Sequence, residues 1–145
     1  IQMGAFVNKK SLRVIEWKYF RGSDIGFFSN PLTSFQLLGN TLFTESSYFR
    51  GNYVHSFDGN FFNKLPLISK LGLELSTGIA TLIIPDQNFA HLESYLGISR
   101  PFRIFGGLVK FGIFISSSIN SNGNSGFELK GGINGYDSFR NQWDY

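Results

Sequence analysis

LGLELSTGIATLII, residues 71–84, alternates with a period of two. Its odd positions from Leu71 to Ile83 are Leu, Thr or Ile, while Gly72, Glu74, Ser76, Gly78 and Ala80 take even ones. Such alternation marks a strand with two unlike faces. In a water-soluble sandwich the apolar face turns inward and the polar face meets water. A membrane barrel inverts this, with apolar side chains toward lipid and small or polar ones toward the lumen. Periodicity by itself leaves both arrangements open.

Composition narrows the choice. The 145 residues suit one domain with a sizeable core. The 17 Phe and 17 Gly, against 4 Pro and a single Met, favour strands and tight turns over helices. Charged residues make up 16%, below the roughly 25% of ordinary soluble domains. With no Cys there is neither a disulfide framework nor a thiolate metal site. The net charge of +3 is scattered, only Lys9 and Lys10 being adjacent, so nucleic acid, which needs a clustered basic stripe, is not an expected partner. No apolar run reaches the ~18 residues of a membrane helix, but a membrane strand needs only ~9–11. The chain opens inside what reads as a strand, and a fragment of a longer protein is expected.

Residues 1–7 and 11–20 read as a strand pair around Asn8-Lys9-Lys10, followed by a loop from Arg21 to Pro31. Residues 35–57 fit one long strand or two short ones, with a bulge near Gly39-Asn40. Asp58-Gly59-Asn60 signals a turn, and Pro66 interrupts the apolar connector FFNKLPLISK (61–70). Strands follow at 71–84, 90–98, 103–116 and 127–135, with Ser99-Arg100-Pro101 as a short turn and 117–126 as a polar loop. Short connections make them antiparallel. Several exceed the usual ~5–6 residues, and Gly and Ser stand where a wetted face would carry charge. Aromatics gather at strand ends (Phe57, Phe61, Phe62, Phe89, Tyr136), as in interfacial girdles.

These features favour an all-β, antiparallel transmembrane β-barrel over a soluble barrel or sandwich. Residues 1–135 would supply its C-terminal part, about six or seven strands, and 136–145 a polar tail. The usual minimum is about eight strands, so the remainder lies outside this chain or comes from another copy. Leu73, Leu75, Ile79, Val109, Phe111 and Leu129 are expected to face outward. Glu74, Glu93, Lys110 and Lys130 are expected to face inward. His91 and Glu93, two apart on one face, could begin a metal site, but the other histidine, His55, lies on the opposite parity. A polar pair is expected there, with no metal and no cofactor. No Gly-x-Ser-x-Gly elbow occurs, and Asp137 and Asp144 have no paired carboxylate, so an enzyme is not expected.

Residues 34–72, and above all FDGNFFNKLPLISKL (57–71), resemble the C-terminal end of a BamA-like outer-membrane β-barrel. The nearest resemblance is to a Gram-negative family of unknown function whose members carry an N-terminal carboxypeptidase-like regulatory domain. The resemblance implies the cell outer membrane, a structural or protein-assembly/translocation role without catalysis, and outer-membrane lipid and other outer-membrane or periplasmic proteins as partners. Alternative readings are a passive or gated pore and a soluble, lipocalin-like small-ligand barrel. Tyr19-Phe20-Arg21-Gly22 is similar to the superfamily's Arg-Gly motif in the sixth extracellular loop, which five strands follow. Ser99-Arg100-Pro101-Phe102 resembles the tight periplasmic turn before its penultimate strand, and FFNKLPLISK would form a turn or helical piece at the periplasmic rim. The superfamily's Asp on the strand after the long one is absent from Thr77-Gly78-Ile79-Ala80-Thr81. The implied loop–lumen contact therefore joins Arg21 and Gly22 to Glu93, with Tyr95 beside it for stacking, or to Glu74 if the loop reaches deeper.

Overall fold

The computed structural model describes residues 1–4, 17–39, 42–57, 62, 69–104, 107–137 and 142–144. In chain order its strands are β1 (Gln2–Gly4), β2 (Lys18–Gly22), β3 (Ser34–Phe35), β4 (Leu42–Thr44), β5 (Tyr48–Ser56), β6 (Glu74–Ile84), β7 (Phe89–Ile104), β8 (Gly107–Asn120), β9 (Ser125–Asp137) and β10 (Gln142–Asp144). The chain is all-β, with no α-helix among the described residues. Seven strands form one sheet in the order β1-β5-β6-β7-β8-β9-β10, every neighbouring pair antiparallel. It is open among the described residues, with β1 and β10 at its edges. A small second sheet has the order β3-β2-β4.

Tight turns at one end keep the long strands in register. Pro85 opens the β6–β7 connection, where its fixed φ suits the first position of a 3-10 turn, and Asn88 closes it at φ 49. Between β8 and β9, Asn120 Oδ1 accepts the backbone N–H groups of Asn122 and Asn124, each at 3.1 Å, and Gly123 supplies a φ of +77.

On β6, Ser76, Gly78, Ala80, Leu82 and Ile84 are buried, whereas Ile79 and Ile83 are exposed. Register carries the pattern across the sheet. Gly78, Tyr95, Ser116 and Glu128 follow one another on the covered face, and Ile79, Ser94, Ser117 and Phe127 on the outer one. Ile79 is 53% exposed, Ile113 63%, Leu129 61% and Phe127 74%. Phe111 is also exposed, while Leu73, Leu75 and Val109 are half-buried. The greasy side is the outer one. The covered face carries Glu93, Lys110 and Lys130 buried and Glu74 half-buried.

What covers that face is the chain between β2 and β4. Phe20 and Phe35 pack on Ala80, Leu82 and Ile84, so the covered face is apolar where the small sheet lies on it. Farther along, Tyr95 and Phe114 project between glycines of neighbouring strands. A Cβ on Gly97 would fall 2.0 Å from Phe114 Cδ1, and one on Gly78 would fall 2.4 Å from Tyr95 Cε1. Glycine at these register-paired positions is what gives the aromatic rings room.

Several boundaries differ from the sequence expectation. Ser99-Arg100-Pro101 is not a turn but lies inside β7. Pairing of β6 with β7 ends at Glu74–Ser99, so at Pro101 β7 has no paired neighbour on that side among the described residues, a position that tolerates proline. The polar stretch 117–126 is mostly strand: its serines follow the alternation, Ser118 inward and Ser117 outward. Residues 35–57 hold separate strands in two sheets, β4 in the small one and β5 in the large one. In the stretch 136–145, β9 runs on to Asp137 and β10 pairs back against it. β1 pairs with β5, and β2 with β3 and β4, while the expected pairing of 1–7 with 11–20 falls largely on residues outside the described ones. The expected turns at Asn8-Lys9-Lys10 and Asp58-Gly59-Asn60, the bulge at Asn40 and the connector around Pro66 lie outside the described residues.

Candidate functional site

The segment from Ser23 to Leu37 lies on the covered face of the large sheet and is built from two tight turns. Phe27 N–H closes on Asp24 O at 3.2 Å over Gly26, whose φ of +76 suits glycine. Asn30 then organises Pro31-Leu32-Thr33: its Oδ1 accepts Leu32 N–H at 2.9 Å, and its carbonyl accepts Ser34 N–H at 2.9 Å. These turns leave Phe28, the carbonyls of Pro31 and Leu32, and the N–H groups of Gln36 and Leu37 for the sheet.

Four groups of contacts clasp the segment. On β9, Glu128 Oε1 accepts Gly26 N–H at 2.6 Å, and Lys130 Nζ donates to Asp24 O at 2.9 Å while pairing with Glu128 at 3.1 Å. Beside them, Phe28 N–H bonds Gly131 O and Gly131 N–H bonds Gly26 O, both at 2.8 Å. In the middle, Phe28 stacks flat on Phe114 with centroids 3.7 Å apart and meets Tyr95 edge-on at 4.8 Å. On β7, Glu93 accepts Gln36 N–H at 2.6 Å and Leu37 N–H at 3.0 Å, with His91 Nε2 at 3.3 Å. On β5, Arg50 donates to Leu32 O at 3.1 Å and to Asn52 Oδ1 at 2.8 Å, and lies over the Phe35 ring. Asn52 in turn donates to Pro31 O at 2.8 Å.

Buried charges are tolerable only when paired or hydrogen-bonded, and charge-assisted bonds are the strong ones. Here the charges of the covered face find their partners largely in the backbone of the segment. The attachment is polar and aromatic.

The expected contact residues sort as follows. Glu93 holds the loop, but by backbone N–H groups and not by Arg21. Arg21 lies exposed on β2, and no ion pair joins it to Glu93 or Glu74 among the described residues. The reason is parity: Tyr19 and Arg21 share the exposed side of β2, and Phe20 is the residue that points into the core. Gly22 has a steric role, since a Cβ there would lie 2.0 Å from Gly39 O. Tyr95 meets Phe28 where stacking on a guanidinium was expected. Glu74 pairs with Lys110 at 2.6 Å instead of reaching the loop. No group of three His, Asp or Glu side chains gathers to hold a metal ion among the described residues.

Phe28, Gln36, Arg50, Phe114, Glu128 and Lys130 are the contact residues that sequence reasoning missed. Phe114 carried a readable signal, a large aromatic on the small and polar parity with Lys110, Gly112 and Ser116.

Residues 1–98 match the C-terminal domain of a family of unknown function, DUF5686. No curated protein and no solved structure shows a significant match to the chain.

Proposed function

We propose that this chain, which belongs to the DUF5686 family through the C-terminal domain at residues 1–98, is the C-terminal part of a BamA-like β-barrel in the outer membrane. Its role is structural or of the protein-assembly and translocation type, and not catalytic. Outer-membrane lipid would surround it, and other outer-membrane or periplasmic proteins would be its partners.

The observation that carries this reading is the inversion of faces. Ile79, Ile113, Phe127, Leu129 and Ile133 form a broad exposed apolar surface, while Glu93, Lys110 and Lys130 are buried on the opposite face. An apolar surface of that extent is unfavourable in water and suits hydrocarbon. A soluble lipocalin-like barrel would need the reverse, with its apolar side chains lining an internal cavity. Extraction of membranes with alkaline carbonate tests the reading: retention with the outer-membrane fraction supports it, and release into the soluble fraction refutes it.

The polar clasps on the segment 23–37 favour a second reading, a gated pore in which that segment is the plug. Planar-bilayer conductance separates the two. A closed wild type whose Glu93→Ala variant conducts supports the pore, and silence from both supports the assembly-type barrel.

A further inference from the structure

From Glu74 to Ile133, the outer face of β6–β9 carries one charged side chain, Arg100. Glu74, Glu93, Lys110, Glu128 and Lys130 share the covered parity and are engaged there. Arg103 also has the covered parity but lies beyond the end of β6. Arg100 stands over the ring of Phe102 at 5.0 Å, and its register partner is Phe111, which meets Phe102 edge-on. No carboxylate pairs with it among the described residues.

Below Arg100 an apolar groove of about 530 Å³ runs along β7 and β8. Its walls are Phe102 and Phe111 at the mouth, then Ile98 and Ile113, then Leu96 and Ile115. The six residue steps from Leu96 to Phe102 make it about 20 Å long, and its volume falls within the ~300–1,000 Å³ of ordinary ligand sites. Charge sits at one end and hydrocarbon at the other.

We infer that this groove binds one acyl chain of an anionic glycerophospholipid whose phosphate is held by Arg100. The inference rests on the membrane reading above. A guanidinium at the border of hydrocarbon needs an anion, and its planar fork fits phosphate bidentately. Stacking on Phe102 covers one face of the guanidinium and leaves its N–H edge free. A multiply phosphorylated glycolipid would call for a cluster of outward cations, whereas β6–β9 present one.

The test uses the whole chain reconstituted in phosphatidylcholine vesicles carrying trace spin-labelled lipids. Immobilised label should favour phosphatidylglycerol over phosphatidylcholine by about fivefold. Arg100→Ala should abolish the preference, Arg100→Lys should retain part of it, and Arg103→Ala should leave it intact. Ile113→Trp, which fills the groove, should reduce immobilisation of both lipids. An inserted wild type without preference, equal loss in Arg103→Ala, or stronger competition by lipopolysaccharide would overturn the inference while leaving the barrel standing. Failure of the wild type to enter vesicles would bring down the membrane reading and this site with it.

Discussion

The carboxylate of Glu93 accepts the backbone N–H of Gln36 at 2.6 Å, across 57 residues of sequence. Its other oxygen takes Leu37 N–H at 3.0 Å. One side chain on β7 thus fixes two successive donors at the end of the segment that covers the sheet. A carboxylate bonded by backbone N–H groups is held more firmly than one meeting a mobile surface cation.

Glu93→Ala should free the end of the segment near β3 while leaving the sheet intact. The buried Gln36 N–H and the half-buried Leu37 N–H lose a charged acceptor, at about 1–3 kcal/mol for the buried one and less for the other. Hydrogen exchange at Gln36 and Leu37 should accelerate, and limited proteolysis should cut between Ser23 and Thr33. Arg21→Ala should change neither. If Arg21→Ala releases the segment as readily as Glu93→Ala, the assignment of Glu93 as the tether is wrong.

Gly97 and Gly131 should respond oppositely to alanine. A Cβ at Gly97 meets Phe114 Cδ1 at 2.0 Å, whereas one at Gly131 finds nothing nearer than Gly26 O at 3.8 Å. Gly97→Ala should therefore cost about 1–3 kcal/mol through overpacking, and Gly131→Ala should lie within about 0.5 kcal/mol of wild type. Thermal unfolding in detergent compares them. Equal tolerance would mean that Phe114 does not occupy the space above Gly97.

Ile79→Arg places a charge in the middle of the outer face, where Ile79 pairs in register with Tyr53 and Ser94. In a bilayer this should cost about 2–4 kcal/mol, read as a fall in folding efficiency into vesicles. At a surface facing water the same change would be nearly neutral, and neutrality in vesicles would count against the barrel.

Much of the fold was legible because it rests on local alternation. The parity of 71–84 assigned both faces of β6. The covering segment was not legible in detail. Its partners on β7 and β9 lie 56 to 106 residues away, where no spacing rule connects them. The Arg-Gly motif points to Arg21, but its neighbour Phe20 has the inward parity, and pairing of Arg21 with Ser34 fixes that parity. Pro101 misled for a different reason. It reads as a strand breaker, yet it falls past Glu74, the first residue of β6, where β7 is locally an edge among the described residues.

The central claim, that the alternation of 71–84 turns its apolar side to lipid, is open to one direct measurement. The chain has no cysteine, so single cysteines at successive positions 76–83 can each carry one nitroxide label without background. After reconstitution in vesicles, collision rates with oxygen, which concentrates in hydrocarbon, and with a water-soluble nickel chelate are compared along β6. The account predicts oxygen maxima at Thr77, Ile79, Thr81 and Ile83, and minima for both reagents at Gly78, Ala80 and Leu82. Nickel maxima at the odd positions, with oxygen low there, would mean that the outer face meets water and would contradict it.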